Sequence, residues 1–247
     1  MLLPWRTAKL IKIENETSTT RRFWFEVPEL SSMEFTPGQF VTLDLPIHEK
    51  PNKRWRSYSI ASAPDGSNTF ELIIVQLEQG AGTTFLFNEM AVGTTLPFRG
   101  PQGHFTLHEP LDTDLFLICT GTGIAPFRSM VQDILRKKRA HRQVHLIFGC
   151  RKKEDLLYYE EMLQLQQQLT GFHYHPVLSR ETWEGPSGYV HEVYLKIIRE
   201  NSALGAPGTL YPATFYLCGW KNMIDEARVR LKDEGYEKQH IKLELYG

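Results

Sequence analysis

The sequence predicts two domains in series: an all-β domain, a closed barrel or a sandwich, followed by an open parallel α/β sheet. Three observations carry this reading. Six short strand-like runs separated by turn residues fill the first ~100 residues, the spacing of a barrel or sandwich. From about residue 112 short apolar runs alternate instead with amphipathic helical patterns, as in a parallel sheet with crossover helices. The change of texture falls in HEPLDT, 108–113, which divides the chain into 1–110 and 111–247.

The β-runs are 7–13 (TAKLIKI), 21–27 (RRFWFEV), 40–45 (FVTLDL), 55–61, 69–77 (TFELIIVQL) and 94–99. Thr36-Pro37-Gly38, Pro51-Asn52 and Pro64-Asp65-Gly66-Ser67-Asn68 supply the turns between them. One helix interrupts the series near 83–91, with Thr83 or Thr84 as its cap. In the second half, LFLIC at 115–119 leads to a helix from 126, where Phe127, Met130, Val131, Ile134 and Leu135 recur at helical spacing. VHLIFG at 144–149 precedes a helix over 154–169, and FHYHPVL at 172–178 one over 188–199. TFYLC at 214–218 precedes a helix over 222–234 that stops at Gly235. The last strand, IKLELY at 241–246, puts Ile241, Leu243 and Leu245 on one face. That aliphatic set is expected to pack into the second domain and to turn Glu244 and Tyr246 away from its core.

Composition narrows the function. With 41% hydrophobic and 23% charged residues and a net charge of -1, nothing global draws the chain to nucleic acid or to an anionic membrane. No apolar run approaches the ~18 residues of a membrane span, and MLLPWRTAKLIK lacks the apolar core and cleavage site of a secretion signal. Cys119, Cys150 and Cys218 are far apart and form no C-x-x-C pair, which disfavours a disulfide scaffold, a zinc site and an iron–sulfur cluster. A reducing cytoplasm is the expected location.

Four strings carry chemistry. Arg56-Ser57-Tyr58-Ser59 lies in a strand, so Arg56 and Tyr58 share one face and Ser57 and Ser59 the other. A bidentate cation beside a flat ring suits the phosphate and the heterocycle of a flavin nucleotide. Gly80, Gly82, Thr83 and Thr84 join a strand to a helix start, where free N–H groups and the helix dipole favour an anion such as a pyrophosphate. Gly121-Thr122-Gly123-Ile124-Ala125-Pro126 follows the first parallel strand, the nucleotide position of a doubly wound fold. Cys218-Gly219 ends the fourth parallel strand at the same sheet edge, with the glycine opening space beside the thiol.

The order PGQF (37–40), RSYS (56–59), GAGTT (80–84), GPQGHF (100–105), GTGIAP (121–126), FGCR (148–151), SRE (179–181), GYV (188–190) and YLCG (216–219) resembles the ferredoxin–NADP reductase family over nearly the whole chain. The resemblance implies an antiparallel Greek-key flavin barrel followed by a nicotinamide-nucleotide domain. It gives Arg56 the flavin phosphate, Tyr58 the isoalloxazine face, and Ser59 the reactive ring edge, with Ser57 in the same string. It gives Gly80, Gly82, Thr83 and Thr84 the FAD pyrophosphate, and Gly121, Thr122 and Gly123 the nicotinamide dinucleotide. Cys218, with Gly219, then approaches the nicotinamide. Ser179-Arg180 and Arg151 are expected to grip a ribose 2′-phosphate, favouring NADP(H) over NAD(H). Glu244 and Tyr246 match the family's chain end, as a proton relay and a cover for the flavin, although Gly247 shifts the terminal carboxylate. The implied activity is hydride transfer between NAD(P)H and FAD, then single-electron exchange with a separate ferredoxin or flavodoxin. Alternatives are an NADH-using reductase component of an oxygenase, which the W-x-G-x-x-G-Y string at 183–189 also resembles, and a reductase of free flavin or another small acceptor. A non-catalytic electron-transfer subunit or redox sensor is the alternative of another class.

Overall fold

The computed structural model describes residues 3–206 and 208–246, so Gly247 lies outside the described residues. The chain forms two compact units. One runs to Leu107 and takes in Ala125–Asp133; the other comprises His108–Ile124 and the chain from Ile134 on.

The first unit is a six-stranded antiparallel sheet of β1 (Arg6–Asn15), β2 (Thr20–Glu26), β3 (Phe40–Asp44), β4 (Trp55–Ser59), β5 (Thr69–Val75) and β6 (Thr95–Gln102), in the order β4-β3-β6-β1-β2-β5. Alternation builds its core: Phe23 and Phe25 of β2 are buried in it, while Arg22 and Trp24 lie on the opposite face of the strand. Phe25 stacks on Phe70, and Phe70 meets Phe98, each pair with ring centroids 5.4 Å apart. Among the described residues no ladder joins β4 to β5, so the expected barrel is not closed by strand pairing. The sheet curls until its ends meet just past β4, where the Ala61 N–H donates to the Glu71 carbonyl (2.8 Å). Helix α1 (Ala81–Asn88) lays Leu86 and Phe87 on this core.

The other face of β5 carries Glu71, only 2% exposed. Its carboxylate accepts from Arg22 Nε (2.6 Å) and from Arg128 Nη1 (2.9 Å), and Arg128 also donates to the Ala61 carbonyl (2.9 Å). Arg128 lies on helix α2 (Ile124–Lys137), in the stretch that packs with the first unit. A buried carboxylate needs such partners, because its desolvation is otherwise unrecovered.

The second unit holds β7 (Asp114–Thr120), β8 (Val144–Cys150), β9 (Phe172–Leu178), β10 (Ala213–Trp220) and β11 (Ile241–Tyr246), all parallel, in the order β11-β10-β7-β8-β9. Six consecutive residues of β7 and of β8 are buried, the pattern of strands covered on both faces. Helices α4 (Val190–Ser202) and α5 (Lys221–Asp233) bring Tyr194, Ile198, Ile224 and Leu231 onto Phe116, Ile118, Phe215 and Leu217.

Three expectations change here. Helix α3 (Tyr159–Gln168) is shorter than 154–169, because the chain first makes a 3-10 turn at Lys153–Asp155. It then passes through a left-handed Tyr158 (φ 53°) that buries Leu156 and Leu157. The helix after β7 starts at Ile124 rather than 126. In β11 only Ile241 joins the core, while Leu243 and Leu245 stay 39% and 53% exposed. As an edge strand, β11 leaves this face uncovered beyond Ile241, and Glu244 and Tyr246 are the half-buried pair.

His145 and His175 sit on neighbouring strands with Nδ1 and Nε2 3.2 Å apart, and His145 stacks between Phe116 and His173, at 4.9 Å from each. Burial, reinforced by the adjacent imidazoles, holds both rings down to about 4. Their folded values lie below the unfolded ~6.5, so the unfolded chain binds protons first as pH falls. The stabilisation is full above pH ~6.5 and declines toward pH 4, by on the order of 1 kcal/mol per ring at pH ~5.5. His145→Phe, which keeps the stack, should flatten the fall of the urea midpoint between pH 7 and 5; an unaltered slope would show that these rings do not govern it.

Candidate functional site

In the first unit, β4 pairs Arg56 with Leu43, Tyr58 with Val41 and Ser59 with Phe40. Arg56 Nη1 donates to the carbonyls of Lys53 (3.1 Å) and Trp55 (2.8 Å), which fixes the guanidinium beside its own strand. A Cβ on Gly82 would lie 3.1 Å from Arg56 Cγ and 3.2 Å from its Nε. Glycine at the second residue of α1 is therefore what lets the arginine lie against a helix start, with its unsatisfied N–H groups. A fixed guanidinium over open amides is a cradle for a doubly charged phosphate group.

The threonines divide their work differently from the expectation. Gly80, not a threonine, occupies the N-cap, and no side chain caps the helix. Thr83 is buried; its hydroxyl accepts from the Leu77 N–H (3.1 Å) and donates to the Gly80 carbonyl (3.0 Å), closing the loop from beneath. Thr84 is the exposed one. Tyr58 packs against the core, and burial pushes its phenol up to about 12, so the ring stays neutral. Ser59 is buried at the strand end, and Ser57 lies on the face opposite Arg56 and Tyr58, its hydroxyl 3.0 Å from that of Thr42. The Ser57 side chain is thus not brought to the cradle.

In the second unit, two strings meet at the carboxyl edge of the sheet. A Cβ on Gly123 would lie 2.4 Å from the Cys218 carbonyl oxygen, and one on Gly219 (φ +132°) 2.5 Å from Thr120 Oγ1. The Trp220 N–H reaches the same Oγ1 at 3.3 Å. The turn Gly121–Gly123 and the strand end Cys218-Gly219 therefore interlock, and Gly123 caps α2 without a side chain, leaving its first amides at the edge. The space beside Gly219 is filled by Thr120, which corrects the expectation that it opens beside the thiol. Cys218 is fully buried. Burial foremost, and the nearby Glu244 charge, hold its thiol protonated despite a hydrogen bond with Tyr246. The parallel register sets Cys218 against Glu244 and Trp220 against Tyr246, so three of the four expected catalytic residues are neighbours.

At the ends of β8 and β9 the chain stays paired: Ser179 N–H donates to the Cys150 carbonyl (3.0 Å) and Arg180 N–H to that of Arg151 (2.9 Å). Ser179 Oγ also donates to the Cys150 carbonyl (3.2 Å). Lys152 pairs with Glu154 and Lys153 with Glu184, whereas Arg151 and Arg180 lie side by side, exposed, with no ion pair among the described residues. Sequence reasoning passed over Trp220, 61% exposed at the end of β10; its signal was a large aromatic directly after Cys218-Gly219.

Among the described residues no helix is long and apolar enough to cross a membrane. Residues 7–107 match the oxidoreductase FAD-binding domain and residues 117–229 the oxidoreductase NAD-binding domain. The chain is 34% identical over 242 residues to ferredoxin–NADP reductase B of Sorangium cellulosum, covering 97% of this chain and 96% of that one. It is 30% identical over 219 residues to the anthranilate 1,2-dioxygenase electron transfer component of Acinetobacter baylyi, covering 88% of this chain but only 60% of that protein. A crystal structure of a ferredoxin NADP+ reductase from Neisseria gonorrhoeae with bound FAD and NADP superposes with a TM-score of 0.80 at 28% identity, over 98% of both chains. By these matches over both units, the chain belongs to the ferredoxin–NADP reductase family of FAD- and nicotinamide-dependent oxidoreductases.

Proposed function

We propose that this protein transfers hydride between NADPH and FAD and exchanges the electrons singly with a separate ferredoxin or flavodoxin. The observation that carries the NADPH reading is the pair Arg151 and Arg180, exposed and with no acidic partner among the described residues, at the ends of β8 and β9. A domain selecting a free ribose 2′-hydroxyl usually places a carboxylate after its second strand; here Gly149-Cys150-Arg151 stands there. Two guanidinium groups suit a 2′-phosphate, with Ser179 beside them.

FAD fits the first unit, since Gly82 leaves the approach to α1 open to Arg56. Arg56 and the α1 amides would hold its pyrophosphate, Tyr58 would lie along the ring system, and Ser59 would meet the ring edge. Bound FAD supplies the exchange between two-electron and one-electron chemistry. The chain's own part is alignment and exclusion of water. The Cys218 thiol, kept neutral, shapes the nicotinamide's approach without acting as a nucleophile. Glu244 is the group on that strand able to hold or pass a proton, and Tyr246 beside it serves as a cover that the nicotinamide displaces. Three cysteines without a disulfide fit a reducing cytoplasm.

One observation favours a second reading, the NADH-using reductase component of an oxygenase. Trp183 lies over Gly185, where a Cβ would come within 2.5 Å of the indole, so the W-x-G-x-x-G-Y string forms a preset loop. Parallel anaerobic titrations of the yellow protein with NADPH and NADH decide between them. NADPH should bleach the flavin at lower concentration, and Arg180→Ala should reduce the NADPH-to-NADH ratio of kcat/KM by about one to two decades. A wild type without NADPH preference would sink this reading in favour of the second.

A further inference from the structure

The structure assigns Trp220 a role of its own: we infer that its indole is the wall against which the nicotinamide half of the dinucleotide rests. This inference depends on the nucleotide site proposed above. Trp220 ends β10 at the carboxyl edge of the sheet, directly after the Cys218-Gly219 pair that interlocks with the Gly121–Gly123 turn. Its backbone is fixed there, because its N–H reaches Thr120 Oγ1 at 3.3 Å and the register pairs it with Tyr246. The indole Nε1 comes within 3.9 Å of where a Gly121 Cβ would stand, so the ring extends along the turn that opens α2. Yet the side chain is 61% exposed, while the other residues of β10 are buried. A large aromatic held at its root but left open on its face can accept a second planar group at little ordering cost.

Strand order decides which half of the ligand meets it. The candidate 2′-phosphate contacts, Arg151 and Arg180, follow β8 and β9, and the amides suited to a pyrophosphate open α2 after β7. Continuing along the edge, the next strand is β10, two to three strand spacings or ~10–14 Å from the arginines. The nicotinamide ribose and ring therefore fall beside Trp220, and the adenosine half lies clear of it.

The test compares two ligands on the flavin-loaded protein by calorimetry: oxidised NADP, and 2′,5′-ADP, which lacks the nicotinamide half. Trp220→Ala should weaken oxidised NADP by about fivefold to tenfold. Binding of 2′,5′-ADP and the flavin content should be unchanged, and Trp220→Phe should restore most of the loss. If the alanine variant binds both ligands like wild type, or loses both equally, the inference is wrong while the nucleotide site stands. If wild type itself fails to bind 2′,5′-ADP, the 2′-phosphate site fails first and takes this inference with it.

Discussion

Glu71→Leu is expected to lower the stability of the protein by about 3–5 kcal/mol, the largest single effect among the changes considered. The carboxylate is nearly inaccessible and bridges Arg22 and Arg128, whose side chains are 20% and 7% exposed. Removing it strips the buried Arg128 guanidinium of a carboxylate held at 2.9 Å. The cost is that of a buried cation losing this carboxylate rather than the worth of the bridge, and this makes a specific second expectation. Glu71→Leu with Arg128→Met should recover most of the loss, because an apolar pair of similar volume can replace a buried ion pair. Urea unfolding of the single and double variants checks both; equal stabilities of the two would show that Arg128 finds water or another acid when Glu71 is gone.

Arg56→Ala should purify folded but with most of its FAD lost. A charge-assisted contact to phosphate contributes roughly 1.5–3 kcal/mol, one to two decades of affinity. The arginine lies at the sheet's surface and donates to two carbonyls of its own neighbourhood, so the fold does not depend on it. The flavin-to-protein absorbance ratio after dialysis, read beside the circular dichroism spectrum, separates binding from folding. Full yellow colour retained in the variant would remove Arg56 from the cradle. Gly82→Val should mimic the loss by driving the guanidinium off the helix start, since even one added carbon comes within 3.2 Å of its Nε.

Much of this was legible in the sequence because periodicity reports burial. The alternation of RRFWFEV gave β2, and the buried runs LFLIC and VHLIFG gave β7 and β8, since a strand covered on both faces has no polar side to show. The glycines of the two edge strings were visible as residue types, but their reason was not. Gly219 serves Thr120 rather than the neighbouring thiol, a contact between distant segments that no local pattern encodes. Glu71 was hidden for a related cause: a charge within TFELIIVQL reads as a solvated position until Arg128, from another element, covers it. The aliphatics of β11 misled in the opposite sense, because alternation tells which residues share a face and not whether anything packs on it. Thr83 had the right chemistry for a cap, but its hydroxyl closes the loop behind the helix instead.

The interlock at the sheet edge bears on how such a protein can be recombined. Gly123 meets the carbonyl of Cys218 and Gly219 meets Thr120, so each string supplies the clearance the other requires. A chimera that imports the nucleotide turn from a relative while keeping the resident strand end, or the reverse, inherits a lock without its key. The natural unit of exchange is a discontinuous cassette, two short tracts from separate stretches of chain that must travel together, and crossover points drawn on the linear sequence will cut through it.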